Sequence, residues 1–225
     1  MASISQAGKI LAALDGEEGF VPFGELVRRT GLPKSSAHTV ISELLKIRLL
    51  ERGDGPVYRI GLRIVELATA RINNMDVVRR FSEVTATWQG VPDESIVLSM
   101  LDGPDVLYLA YRSGTRSVGI QYRIGMRLAA HSTASGKAIL AWQQRLPDGL
   151  DPKLREELDI TKLRGYAIDN EETAPGVICF GAPILSPGGD GVLWAVAISL
   201  IKASITPADY DQLGDEAMLL AKALR

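Results

Sequence analysis

Along residues 31–45, GLPKSSAHTVISELL, the apolar residues Ala37, Val40, Ile41, Leu44 and Leu45 recur at i, i+3, i+4, i+7 and i+8. That spacing predicts one buried face of a helix. The opposite face carries Lys34, Ser35, Ser36, His38, Thr39 and Ser42, with no acid before Glu43, a surface suited to entering a groove. Upstream, PFGELVRRTGL predicts a short helix with Leu26 and Val27 inward and Arg28 and Arg29 outward, ended by a turn at Thr30-Gly31. Pro33 is expected as the first helical residue, where its missing N–H would have no partner in any case. Helix, glycine turn, helix is the helix-turn-helix pattern. Downstream, LLERGDGPVYRIG predicts two short strands around Gly53-Asp54-Gly55-Pro56, a hairpin wing flanked by Arg52 and Arg59. The N-terminal stretch predicts an amphipathic helix with Ile4, Ala7, Ile10, Leu11 and Leu14 inward.

Leu62 to Gln89 is a long helical stretch with a soft break at Asn73-Asn74, read as a connecting helix followed by the first helix of a second domain. From Asp93 the period becomes that of strands. ESIVLSML and DVLYLAYR form a hairpin around Asp102-Gly103-Pro104, and SVGIQYRI (117–124) is expected as a third strand. HSTASGKAILAWQQRL and PKLREELDITKLRGY read as helices. Two apolar strands follow, GVICFGAPILS and GVLWAVAISLI, joined by residues 187–191. Thr206 as N-cap, Pro207 and Asp209 open a last helix running to Arg225. The order gives an α+β fold with a mostly antiparallel sheet. Expected domains are a winged helix-turn-helix over 1–66, a linker helix over 67–80 and an effector-binding domain over 81–225.

Composition narrows the function. A chain of 225 residues with 46% hydrophobic content can fill two cores. It has no run of about 18 uncharged apolar residues, and its N-terminus does not read as a signal peptide; this points to the cytoplasm and away from a membrane partner. Cys179 is the single cysteine, with His38 and His131 the only histidines, so neither a disulfide nor a Cys-rich zinc site is expected, and no metal or cofactor. Between Arg28 and Arg63 eight basic residues face three acids, although the whole chain has a net charge of −2. Basic side chains in such a segment supply the salt-dependent part of affinity for DNA phosphates, so double-stranded DNA is the expected partner of this half.

Several motif readings meet at His131. As a phosphate loop, Gly136-Lys137 fits, but His131 replaces the first glycine and Ala138 the Ser/Thr. A Ser-x-x-Lys nucleophile fails because Ala134 stands three before Lys137. A helix opening at Ala134 after Thr133 leaves first-turn N–H groups that can bind an anion, and the small Ala134, Ser135 and Gly136 would let a carboxylate approach. The alternative is that Thr133 merely caps the helix with nothing bound.

The helix-turn-helix GLPKSSAHTVISEL, the wing end YRIGLRIVELA, and HSTASGKAILA followed by RGYAIDNEETAPGVICFGAPIL together resemble the IclR-type family of bacterial transcription regulators over nearly the full chain. The resemblance implies a winged helix, a linker helix and a GAF- or PAS-like effector domain. It further implies a homodimer that in many members pairs again into a tetramer, and a small organic or aromatic acid as effector. By position, the family's ligand contacts fall on Ala134, Ser135, Asp169, Cys179 and Ser199. The sequence departs from the family pattern at Thr39, where members commonly carry arginine, implying fewer DNA contacts. It departs again at Ala197, where some place a second pocket serine, implying a more apolar ligand. Candidate DNA contacts are Arg28, Lys34, Ser35, Ser36, His38, Thr39, Arg52 and Arg59; candidate effector contacts are Thr133, Ala134, Ser135, Gly136, Asp169, Cys179 and Ser199. No catalysis is expected. Two rivals are an enzyme using His131, Asp169, Glu171 or Cys179, and a dimeric module indifferent to ligand.

Overall fold

In a computed structural model, which describes residues 3–17, 19–116, 122–146, 149–185 and 192–225, the chain divides into two units, Met1–Asn74 and Met75–Arg225. The first begins with α1 (Ile4–Ala12), opened by a capping box in which Ser3 and Gln6 each accept from the other's backbone N–H. Ile10 and Leu14 are buried as expected, but Ile4 is 93% exposed. It sits in the first turn, and α1 packs on the neighbouring helices through Ala7, Ile10 and Leu11 further along. β1 (Val21–Pro22) leads into α2 (Phe23–Thr30), which Gly31 ends at φ +65, a left-handed conformation glycine adopts without steric cost. α3 (Lys34–Lys46) follows.

Pro33 lies one position earlier than expected, as N-cap rather than first helical residue. Its extended ψ of 141° redirects the chain between the two helices while its carbonyl accepts the first helical bond, from Ala37 N–H at 2.9 Å. Ala37, Val40, Ile41 and Leu44 are buried on Ile10, Leu26, Leu50 and Tyr58. The wing is β2 (Leu50–Arg52) and β3 (Val57–Ile60), antiparallel, with Glu51 opposite Arg59. β1 pairs with the other edge of β3; a two-residue strand leaves no periodicity to read. α4 (Leu62–Asn73) has no buried residue, and Leu62, Val65 and Leu67 are each more than half exposed.

The second unit opens with α5 (Asp76–Ala86), after the expected break, and the hairpin β4 (Ser95–Asp102) and β5 (Asp105–Arg112). The third strand differs from expectation. Residues 117–121 of that stretch lie outside the described residues, and 122–124 are not a strand. Gly125 at φ +90 and a turn from Arg123 to Met126 interrupt the extended run, so the partner of β5 is β6 (Arg127–Ala129). A single 3-10 turn (130–132) leads to α6 (Ala134–Leu140). α6 stops after seven residues rather than reaching Leu146, because its end tightens into i→i+3 bonds from Trp142 and Gln143, and Gln143 Nε2 then donates to Val192 O.

α7 (Pro152–Arg164) runs from its Asp151 cap to Gly165. β7 (Ala167–Asn170), absent from the sequence reading, has only two apolar residues and so no distinct alternation. β8 (Val177–Ile184) and β9 (Trp194–Ile201) are the expected apolar strands, and their connection over 187–191 lies outside the described residues. α8 (Tyr210–Ala223) follows a one-turn 3-10 segment capped by Thr206 and Asp209. The sheet order is β6-β5-β4-β9-β8-β7, every described pairing antiparallel. Alternation along β8 sends Val177 and Cys179 to the side covered by α6, while Ile178, Phe180 and Ala182 meet α5 and α8, which is why the strand is apolar throughout. Among the described residues no helix is long and apolar enough to cross a membrane.

Candidate functional site

In the first unit, Lys34, Ser35, His38 and Thr39 are exposed along one side of α3, and Ser36 is half-buried. Thr39 Oγ1 donates back to Ser35 O at 3.0 Å, and His38 meets the edge of Phe23 at 6.4 Å between centroids. The basic excess is smaller than the window from Arg28 to Arg63 suggests. Over residues 1–74 there are ten Lys and Arg against eight Asp and Glu, and acids just outside the window fold back on it. Glu25 pairs with Arg28 and Arg29 at 2.5 and 2.6 Å, and Glu66 with Arg63 and Arg48. The Arg28 and Arg29 guanidinium hydrogen bonds hold Glu25 down to about 2. Arg59 sits 2.8 Å from Glu51 and 4.7 Å over the Phe20 ring. Lys34 and Arg52 have no ion pair among the described residues; Arg52 Nε donates to Gly55 O, bracing the wing turn.

In the second unit, strand register gathers the candidate ligand residues. Asp169 is opposite Cys179, Cys179 opposite Ser199, and Ser199 opposite Ser95, so one row crosses four strands. Directly opposed residues share a face, here the α6 face. All four are buried. Tyr122 OH donates to Ser199 Oγ at 2.6 Å and Cys179 Sγ to the same oxygen at 3.3 Å, while the Tyr108 ring lies 5.7 Å from that of Tyr122. Burial pushes both tyrosines well above the ordinary phenol range and the Cys179 thiol up to about 12. Asp169 Oδ1 accepts from Glu172 N at 2.8 Å and Thr173 N at 3.3 Å, and its Oδ2 accepts from Thr173 Oγ1. Burial raises its carboxyl and these bonds oppose the rise.

The start of α6 closes over this face. Thr133 Oγ1 accepts from Gly136 N at 3.0 Å, so the cap satisfies one of the N–H groups expected to be open. Gly136 makes room for the protein rather than for a ligand, since a Cβ there would lie 2.1 Å from the Ala130 carbonyl oxygen. Gly181 on β8 is similar: its Cβ would come within 2.5 Å of the Ala134 backbone. Ala134 and Ser135 are 1% exposed, and Ser135 Oγ has no partner among the described residues. Lys137, fully buried, donates to Glu157 at 2.6 Å and Glu172 at 2.5 Å. Sequence reasoning missed Tyr108, Tyr122, Thr173 and the role of Lys137. Alternation along β5 could have placed Tyr108 on this face; nothing marked Tyr122, which comes from an irregular segment.

The enzyme reading loses its pair. His131 is exposed, whereas Cys179 is buried against Ser199 with its thiol protonated near neutrality, and a reactive cysteine needs the opposite shift. Glu171 is bound to Lys202.

A family model described as the IclR helix-turn-helix domain matches residues 3–54, and one described as "Bacterial transcriptional regulator IclR C-terminal" matches 69–147 and 150–224. The chain belongs to the IclR family. This regulator therefore has a DNA-binding helix-turn-helix domain and a C-terminal effector-binding domain, and the family's curated members are transcriptional regulators rather than enzymes. It is 27% identical over 207 residues to the transcriptional regulator KdgR of Dickeya chrysanthemi, covering 84% of this chain and 68% of that one. It is 30% identical to the crystal structure of the Agobacterium tumefaciens repressor BlcR, with a TM-score of 0.60, covering 98% of this chain and 94% of that one. The fold also matches an IclR homologue of Microbacterium hydrocarbonoxydans crystallised with 4-hydroxybenzoate, at 23% identity and a TM-score of 0.77, over 99% and 98% of the two chains.

Proposed function

We propose that this regulator senses a small organic acid, aromatic or branched, on the α6 face of its sheet, and that the acid changes the affinity of the winged helix for double-stranded operator DNA. The observation that carries the reading is the buried row Asp169–Cys179–Ser199, with Ser135 Oγ on α6 unpartnered among the described residues. A ligand carboxylate would accept from Ser135 Oγ and from first-turn N–H groups at Ala134 and Ser135, with Thr133 and Gly136 shaping the turn. Asp169 would accept from a ligand hydroxyl. Ser199 Oγ accepts from Tyr122 and Cys179, which leaves its own proton to donate. Tyr108, Tyr122 and Ala197 give the rest of the face a mainly apolar lining, favouring a ring or branched chain. The 4-hydroxybenzoate bound by a protein of the same fold has this chemistry.

Calorimetric titration of the purified protein with 4-hydroxybenzoate and a series of aliphatic acids tests the reading. Ser199→Ala is expected to weaken the acid that binds by about 1–3 kcal/mol, the cost of one lost buried hydrogen-bond partner. Equal affinity in wild type and variant would remove Ser199 from the site, and failure of every acid would remove the sensor reading.

At the DNA end, Lys34, Ser35, Ser36, His38 and Thr39 would face base edges and phosphates from α3, and Arg28, Arg52 and Arg59 would contact phosphate. Arg59→Ala is expected to weaken binding about equally on all sequences and lower the salt slope by roughly one, measured by fluorescence anisotropy on a labelled duplex at two salt concentrations. A change in sequence preference alone would move Arg59 to base readout. Residues 67–80 would form the linker between a DNA-binding region 1–66 and an effector-binding region 81–225. Exposed Leu62, Val65 and Leu67 on α4 support a homodimer formed along this helix, with tetramers by a second pairing, acting in the cytoplasm.

A further inference from the structure

One cavity of the C-terminal unit, lined by none of the residues proposed for the effector, carries its own chemistry. It measures about 320 Å³ and lies between residues 90–94, the end of β9, the turn after it and the first turn of α8. The segment 90–94 that forms one wall is held in place by side chains behind it. Arg112, reaching from β5, donates to the carbonyls of Thr85, Trp88, Val91 and Glu94. Trp88 Nε1 donates to Glu216 at 2.5 Å, and that carboxylate packs so closely on Gly90 that a Cβ there would overlap it.

Glu94 lines this cavity with its side chain 8% exposed. Its Oε1 is 3.4 Å from Arg116, and its Oε2 is buried with no partner among the described residues. The other acids on the wall are engaged: Asp93 accepts from Thr115 and Asp209 from Thr206 N and Oγ1. Among the lining residues Asp93, Glu94 and Asp209 outnumber Arg116, and with Arg112 behind the wall counted as well the acids still exceed the cations by one, around an acceptor that lacks a partner among the described residues. Leu200, Ile205 and Leu213 supply an apolar wall. A buried carboxylate oxygen without a donor is costly, and a ligand that brings a donor and a positive charge relieves that cost.

We propose that this cavity is a second small-molecule site, binding a short alkylammonium cation with its ammonium on Glu94 Oε2 and its chain on Leu200, Ile205 and Leu213. It does not rest on the effector site, and either can fail without the other.

The test is calorimetric titration of the full chain with 3-methylbutylamine hydrochloride and, in parallel, its neutral isostere 3-methylbutanol. Saturable binding of one amine per chain is expected, with the alcohol at least about tenfold weaker. Glu94→Gln keeps the side-chain shape and is expected to lose about tenfold or more. Gln212→Trp, at an exposed position on the cavity wall, should block the amine without disturbing the core, and so tests the site even if Glu94→Gln fails to fold. Ser199→Ala should leave amine binding unchanged. No saturation at millimolar amine, equal binding of the alcohol, or amine binding unaltered in Gln212→Trp would overturn the proposal.

Discussion

Lys137→Ala is expected to destabilise the C-terminal unit by about 3 kcal/mol, the lower end of the range for removing one partner of a buried ion pair. The ammonium is wholly buried and held by Glu157 on α7 and Glu172 after β7. Its two acids are more than a third exposed, so they can rehydrate once the lysine is gone, which sets the lower figure. Lys137→Met keeps most of the volume and separates the electrostatic loss from the cavity. Adding Glu157→Gln and Glu172→Gln to Lys137→Met should recover part of the stability, since a neutral, well-packed set can equal an ion pair in a protein interior. Trp88, Trp142 and Trp194 all lie in the C-terminal unit, so tryptophan fluorescence during urea unfolding reports this unit. An unchanged midpoint in Lys137→Ala would show that the pairs contribute nothing net. The same variant should also loosen the proposed effector site, because the Glu172 backbone N–H holds Asp169 Oδ1.

This triad also marks where sequence reading stops. The helix-turn-helix was legible because α3 buries Ala37, Val40, Ile41 and Leu44 in one core and its amphipathic period is local. The β4–β5 hairpin and the strands β8 and β9 were legible from signals just as local, a turn between two strand-length runs and two continuous apolar runs. β1 and β7 were not, since two and four residues carry too little alternation. The pairing of Lys137 with Glu157 and Glu172 spans 20 and 35 residues, and such a distance leaves no spacing signal. The charge argument pointed to DNA but overstated the basic excess through its window: Glu17, Glu25 and Glu66 lie outside Arg28–Arg63 and pair with residues inside it. Asp169, Cys179 and Ser199 were named through family resemblance. Only the antiparallel register of β7, β8 and β9 makes them neighbours, and register is a property of the assembled sheet.

Gly181→Ala is expected to lower stability by about 2–3 kcal/mol and to weaken effector binding without altering any group that touches the effector. The added methyl would stand 2.5 Å from the backbone carbon and oxygen of Ala134 and 2.7 Å from Ser135 N. These are main-chain atoms of α6, so no side chain can rotate away and the helix itself must lift from β8. Overpacking of a tight core contact costs about 1–3 kcal/mol, and the rigidity of a backbone obstacle places this case toward the top of that range. Lifting α6 carries Ser135 away from the β8–β9 face, widening the gap that a ligand would bridge in the proposed site. The expected result is a lower urea midpoint by tryptophan fluorescence, together with a larger Kd for the acid that wild type binds, while DNA affinity without effector stays unchanged. A variant that loses stability but keeps full effector affinity would mean that the ligand is held by the strands alone. The helix start would then be a lid over the row rather than part of its binding surface.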